Sequence, residues 1–261
     1  MSAARILLPA CVLGAFLLAW QAGVGFGWLR PVQFPPPTKL ATTFVELATE
    51  GFPEGILLWT HVAATLRRIL AGYALALALA VPLGLLIGAS AWLDRATAPV
   101  IAFCRSVATL SLLPLAVVWF GTGEASRIFL IGYGCFWVML SATVAAIKLV
   151  DPVLIRAART MDAPPRALFL AVRLPAALPR LVAGARMALG VGFMVIVGAE
   201  MIGTISGLGA LIMEARTFYR SDITMVGMFA IGAIGLALAT AMGALERRLL
   251  PWQARLAEQQ Q

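Results

Sequence analysis

Six stretches of this chain are long and apolar enough to cross a lipid bilayer, and they limit the possible folds more than any other feature. They fall at about 6–29, 63–90, 97–120, 126–149, 181–203 and 223–246. A hydrocarbon core of about 30 Å needs roughly 20 apolar residues per helix. A segment inside lipid must satisfy its own backbone hydrogen bonds, so the expected fold is all-α with six transmembrane helices. Of the 261 residues 61% are hydrophobic and 12% are charged, where a soluble domain carries roughly 25% charged. That leaves too little polar surface for a water-facing globule, and the chain reads as an integral membrane protein. The first stretch exceeds the roughly 7–15 residues of a signal-peptide core and lacks a clean cleavage site, so it reads as a retained helix.

The net charge of +8 does not indicate nucleic acid. Only Lys39 and Lys148 are lysines, and the arginines flank apolar runs instead of forming one dense patch. Basic residues in that position report orientation. With a cytoplasmic N-terminus, the inner segments hold Arg5, Arg95, Lys148, Arg156, Arg159, Arg166, Arg173, Arg180, Arg247, Arg248 and Arg255. The outer loops hold Arg30, Lys39, Arg127, Arg216 and Arg220. The inner excess places both termini in the cytoplasm. The expected organisation is a transmembrane helix at 1–30, an extracytoplasmic loop at 31–62, a membrane core at 63–250 containing a loop at 150–180, and a cytoplasmic tail at 251–261. Within the outer loop, 40–49 reads as a short surface helix. Cys11, Cys104 and Cys135 all lie in apolar runs and are expected to pack in the interior. His61 is the single histidine, so no histidine-based metal cluster is expected.

The loop at 150–180 stands apart from its surroundings. Arg159, Arg166, Arg173 and Arg180 recur every seven residues, close to two helical turns, and Arg156 precedes them. Pro164, Pro165, Pro175 and Pro179 interrupt them. Asp151-Pro152 is expected to start one short helix reaching about Met161. Asp162 or Ala163 then caps a second helix with Pro164 at its first position, ending at Leu174-Pro175. Leu168 and Phe169 would project from this second helix as a small apolar knob. By physics alone the arginines either bind lipid phosphates or dock a soluble partner.

The spacing of this loop resembles that of binding-protein-dependent ABC importer permeases. Their motif is Glu-Ala-Ala, three residues, Gly, nine residues, Ile, one residue, Leu-Pro. Ala157, Ala158, Leu174 and Pro175 match it and Val172 stands for the isoleucine, while Arg156 replaces the glutamate and Asp162 the glycine. The stretches LLPLAVVWFGTGEASRIFLIG at 112–132, LPAALPRLVAGARMALGVGFMVIVGAEMIG at 174–203 and LERRLLPW at 245–252 resemble the nitrate, sulfonate and taurine branch. Ala108 stands where that branch has a proline. The resemblance covers roughly 35–252. It implies a type I importer permease fold in the bacterial inner membrane, working as a homodimer with two copies of a cytoplasmic ATP-binding subunit. It also implies an extracytoplasmic solute-binding protein that delivers a small solute such as a sulfonate, taurine or nitrate. Arg156, Ala157, Ala158, Asp162, Leu168, Phe169, Leu174 and Pro175 would couple the chain to the ATPase. The chain has no phosphate-loop motif; it needs no cofactor of its own, and ATP and magnesium belong to the partner.

Glu200, an acid inside a span, is a candidate for the gate or the translocation path. A bare carboxylate would repel an anion, so it fits a gate or an arginine partner better than a substrate ligand. Arg105 and Arg186 are the candidate cations of the path, and Pro114 the candidate kink. Arg67 and Arg68 are expected to snorkel to the headgroups, and Trp119 and Phe120 to form an interfacial aromatic belt. Gly84 and Gly88 are a small-residue pair suited to close helix approach. A permease for a heterocyclic vitamin precursor is the alternative within the family. An ion-coupled secondary transporter is the alternative outside it, and an intramembrane enzyme fails for want of a catalytic set.

Overall fold

The computed structural model describes residues 4–53 and 55–251, which form helices and turns with no strand among them. In chain order these are α1 (Ala4–Gly25), α2 (Pro37–Thr49), α3 (Leu58–Ala89), α4 (Ala91–Ser106), a short tight helix Thr109–Leu112 and α5 (Leu113–Phe120). Then come α6 (Glu124–Lys148), α7 (Pro152–Thr160), α8 (Pro165–Ala167), a π-helical turn Leu168–Arg173, α9 (Leu174–Glu200), α10 (Leu208–Thr217) and α11 (Ser221–Leu249). Among the described residues four helices have the length and apolarity to cross a membrane: Leu58–Ala89, Glu124–Lys148, Pro165–Glu200 and Ser221–Arg248. The pair Ala91–Ser106 and Thr109–Phe120, bent by 83°, makes a fifth candidate.

The chain divides into two compact units, Met1–Thr65 with Glu200–Ala233, and Leu66–Ala199 with Ile234–Gln261. In the second unit α6 is the central strut. Its residues Leu130, Ile131, Cys135, Met139, Leu140 and Ile147 are buried. A Cβ on Gly72, Gly84 or Gly88 of α3 would lie 2.7, 2.6 or 3.0 Å from the Cβ atoms of Ile131, Thr143 and Ile147. On α9, a Cβ on Gly184 would meet that of Ala142 at 2.5 Å, and one on Gly192 would meet the Cys135 sulfur at 2.6 Å. The Gly84/Gly88 pair is thus part of a longer glycine face. Such approach maximises dispersion contact where lipid offers no hydrophobic drive.

In the first unit, α2 buries Leu40, Thr43 and Leu47. Thr43 Oγ1 donates to Asp222 at 2.9 Å, and Arg220 bridges Asp222 at 2.9 Å and Glu46 at 3.2 Å. The Asp222 hydrogen bond, with that of Glu46, holds the Arg220 guanidinium above its ordinary pKa.

Several expectations require correction. The second span begins at Leu58, not 63, because the preceding turn closes through the Phe52 N–H to Ile56 O bond at 2.8 Å. The third span is not one helix. It breaks at Val107 and Ala108, whose backbones are extended with ψ of 122 and 114, so the break lies ahead of Pro114. That proline sits in the first turn of α5, where a missing N–H leaves no bond unmade. The second loop helix neither starts at Pro164 nor stops at Leu174. Pro164 is its extended cap and Pro165 its first residue, and helix continues unbroken from Pro165 to Glu200. The wider π turn just before Pro175 relieves the clash that would otherwise end the helix there. Cys11 is exposed and Cys104 half-buried; only Cys135 is interior. Residues 252–261 of the expected tail lie outside the described residues.

Gly84→Ala is expected to destabilise the folded chain by about 1–3 kcal/mol through overpacking, whereas Gly243→Ala, whose Cβ meets nothing within 4 Å, should not. Thermal unfolding of both variants in detergent checks this.

Candidate functional site

Three groups of residues carry chemistry. The first is built around Glu200, the last residue of α9, which is fully buried at 0% exposure. Thr65 Oγ1 donates to its carboxylate oxygens at 2.8 and 3.0 Å, and the Gly209 N–H donates to Oε2 at 3.1 Å. Thr65 Oγ1 in turn accepts from the Leu208 N–H at 2.9 Å. His61 Nδ1 lies 2.9 Å from the Gly207 carbonyl and 3.1 Å from the Gly207 nitrogen, and its Nε2 lies 3.0 Å from the Phe52 carbonyl, so the ring ties this turn to the segment before α3. One carboxylate thus pins α3 to the turn that opens α10. Gly207 is required there, because its φ is 123° and a Cβ would lie 2.4 Å from the Glu200 carboxyl carbon.

The second group is the loop. Asp151 caps α7 by accepting from the Val153 N–H at 2.8 Å, with Pro152 in the first turn, as its residue types dictate. Arg156 and Ala157 are exposed and Ala158 half-buried. Asp162 takes φ 53, the left-handed turn that the motif's glycine would adopt. The apolar knob is not where the sequence puts it. Leu168 is 9% exposed and Phe169 packs against the core of the second unit, because the continuous helix turns both inward. The exposed large side chains are instead Val153, Leu154, Met161 and Leu170. Leu174 is half-buried and Pro175 exposed. Of the heptad arginines, Arg159, Arg166 and Arg173 line one cavity of about 710 Å3, while Arg180 donates to the Leu149 carbonyl at 2.7 Å.

The third group surrounds the helix break. Arg105, one residue before the end of α4, lines a cavity of about 730 Å3 with Ser106, Ser141, Asp94 and Lys148. Lys148 and Asp94 pair at 2.6 Å, while the Arg105 guanidinium has no hydrogen bond or ion pair among the described residues. Arg186 lies 3.7 Å from Glu246. Trp119 and Phe120 are exposed; Trp119 meets Phe129 edge-on at 6.0 Å between ring centroids, and Phe120 meets it tilted at 5.0 Å. Arg68 does not snorkel: it is 1% exposed, and its Nε donates to Glu124 at 2.9 Å, while Arg67 reaches the same carboxylate at 3.2 Å. Sequence reasoning missed this pair, although an arginine doublet inside an apolar run and an acid at the start of a later span were its visible signals.

Residues 80–255 match the profile of the family described as binding-protein-dependent transport system inner membrane component. The chain belongs to this family. It is 34% identical over 253 residues to the taurine transport system permease protein TauC of Escherichia coli (strain K12), covering 97% of this chain and 92% of that protein. It is 32% identical over 248 residues to the putative aliphatic sulfonates transport permease protein SsuC of Bacillus subtilis (strain 168), covering 95% and 87%. It is 31% identical over 256 residues to the bicarbonate transport system permease protein CmpB of Synechocystis sp. (strain ATCC 27184 / PCC 6803 / Kazusa), covering 95% and 90%. The fold is that of a chain in an inward-facing MetNI methionine ABC transporter, with a TM-score of 0.63 over 73% of this chain and 96% of that one at 22% identity. The permease is a transport component of the inner membrane, not an enzyme, and it works with an ATPase and a solute-binding protein.

Thr65→Val is expected to destabilise the permease by about 1–3 kcal/mol, because it leaves Glu200 and the Leu208 N–H short of a buried partner. Gly207→Ala should lower the unfolding temperature as well; a variant as stable as the parent would disprove the crowding against Glu200.

Proposed function

We propose that this permease passes a small oxyanion of the sulfonate, taurine or nitrate type from an extracytoplasmic binding protein into the cytoplasm, by alternating access. Two copies form the channel and two copies of an ATPase drive it. The solutes named for three relatives are taurine, aliphatic sulfonates and bicarbonate, and each carries an oxyanion group. Arg105 supports the anion reading: a guanidinium without a protein partner, beside a broken span and facing a cavity, draws in negative charge. Glu200 is engaged in hydrogen bonds to its own unit and acts as the fixed point of a gate, not as a ligand.

In this reading α1, α3, the bent α4–α5 pair, α6, α9 and α11 are six spans with both chain ends in the cytoplasm. The loop 150–180 then faces the ATPase, consistent with its arginines. Coupling runs through the exposed face of α7, with Arg156, Ala157, Val153 and Met161 as contact residues and the Asp162 turn behind them. Ala158, Leu168, Phe169, Leu174 and Pro175 anchor that face to the membrane helices. The observation that carries the proposal is the unbroken helix from Pro165 to Glu200. Its 36 residues extend about 54 Å at about 1.5 Å per residue. A displacement imposed on the loop is therefore carried along the whole length of α9. Alternating access requires two packings separated by a few kcal/mol, biased by ATP on the partner.

The test is uptake into proteoliposomes holding the permease, its ATPase and its binding protein. Taurine, an aliphatic sulfonate and nitrate are offered with and without ATP. Anion uptake that needs ATP supports the proposal, whereas flux driven by an ion gradient without the ATPase, or preference for a heterocyclic vitamin precursor, overturns it. Arg105→Gln is expected to lower uptake about tenfold, the loss of one charge-assisted hydrogen bond, while ATPase subunits still copurify. Asp162→Gly should retain coupling and Asp162→Val should lose it, read as uptake per ATP hydrolysed, since only the former tolerates the left-handed backbone.

A further inference from the structure

The cavity that gathers Arg159, Arg166 and Arg173 presents three guanidiniums and no acidic residue; its other walls are Pro165, Phe169, Leu170 and Ala89, with Leu168 behind. Among the described residues none of the three guanidinium groups makes a hydrogen bond or ion pair, and the buried Nε of Arg173 has no partner at all. Buried donors are normally satisfied, and like charges sharing a recess repel, so the site is complete only with an anion in it. We propose that it holds the phosphate group of an anionic phospholipid.

Placement and chemistry both favour lipid over a dissolved anion. Ala89 is the last residue of the membrane-length helix α3, so the cavity opens where that helix leaves the hydrocarbon, at the level of lipid phosphates. Phe169 and the 61%-exposed Leu170 supply an apolar wall that suits glycerol and acyl carbons and that a free oxyanion does not need. Basic recesses at the cytoplasmic ends of membrane helices are suited to acidic headgroups, and arginine binds phosphate oxygens in a fork. The heptad spacing is thereby explained: α7 and the helix that starts at Pro165 turn three of the four arginines to one recess. A bound headgroup would brace α7 against the membrane, so that force from the ATPase moves the rod instead of tilting the loop. The inference rests on the cytoplasmic placement of loop 150–180 proposed above.

The experiment uses the full chain extracted in mild detergent and exchanged into nanodiscs of phosphatidylcholine with or without 20% phosphatidylglycerol, about the level at which a surface potential develops. Phospholipid retained after re-extraction is counted by native mass spectrometry. Phosphatidylglycerol should stay bound to the parent protein and to Arg95→Gln. It should be lost, by about tenfold or more, from the Arg159→Gln/Arg166→Gln/Arg173→Gln variant, and be largely regained with lysine at the three positions. Arg166→Gln alone, at an exposed position, gives a partial loss and guards against misfolding of the triple variant. Equal retention of phosphatidylcholine, unchanged retention by the triple variant, or displacement by 10 mM inorganic phosphate, roughly the range of a weak free-anion site, overturns the proposal. So does a triple variant that keeps its lipid but loses the copurifying ATPase, which would make the recess a protein-docking surface. The side of the membrane is read separately. Met161→Cys, in a chain whose Cys11, Cys104 and Cys135 are replaced by alanine, should react with an impermeant maleimide only in inside-out vesicles. Labelling from the opposite face would overturn the topology while leaving the lipid result to stand or fall by itself.

Discussion

The contact of α3 and α9 with α6 is the interaction on which the second unit depends. Within lipid there is no hydrophobic gain from bringing two apolar helices together, so the attraction has to come from dispersion at short range. Glycines 72, 84 and 88 on one side, and 184 and 192 on the other, remove the side chains that would hold the backbones apart. Isoleucine, threonine, alanine and cysteine side chains of α6 fill the space. Cys135 does so while directing its thiol to the Ala188 carbonyl at 3.2 Å, and Tyr73 reaches the Ala185 carbonyl at 3.0 Å.

With α6 clamped on two faces, the rod formed by Pro165–Glu200 has a fixed bearing in the second unit, and its ends are its informative parts. At one end the chain passes through two prolines and a π turn without losing helicity. At the other it delivers Glu200 to Thr65 and the start of α10. A proline would normally stop a helix by its missing N–H and its clash with the preceding turn. The widened turn converts that interruption into a local bulge, and the loop remains mechanically joined to the membrane segment. Had the helix ended at Leu174, as the dipeptide Leu174-Pro175 implies by itself, the loop would have been a hinged flap with no means of pushing.

Much of this was legible in the sequence. Apolar run length located the four membrane-length helices and the bent pair, and the start of α7 followed from Asp151-Pro152. Motif spacing set Asp162 at the glycine position, and the structure shows the left-handed backbone there. The errors have physical causes. Val107 and Ala108 contain no breaker, so the 83° bend comes from tertiary packing that local propensity does not encode. Leu168 and Phe169 face inward because the helix they begin runs on without a break, through a π turn with no reliable local signature, into α9. The Glu200 cluster joins residues 135 apart in sequence. Only the solitary acid was visible, not the threonine, histidine and glycine that complete it.

The arginines sort into three environments, and the sorting separates scaffold from function. Arg68 is buried against Glu124, and breaking such a pair leaves an uncompensated charge, so it belongs to the fold. Arg127 donates to the carbonyls of Thr122 and Gly123 at 2.7 Å, and Arg180 to that of Leu149 at the same distance. Both tie off chain ends where helical bonding stops. Arg105, Arg159, Arg166 and Arg173 have no such occupation, yet each lines a cavity. An arginine held in a recess without a counter-charge lowers stability unless something from outside neutralises it, and the fold retains four. In the reading proposed above each of the two recesses takes one anion, a transient one beside the broken span and a resident one beneath the loop, and their linings differ accordingly: the first also contains the Asp94–Lys148 pair, and the second contains no acidic residue.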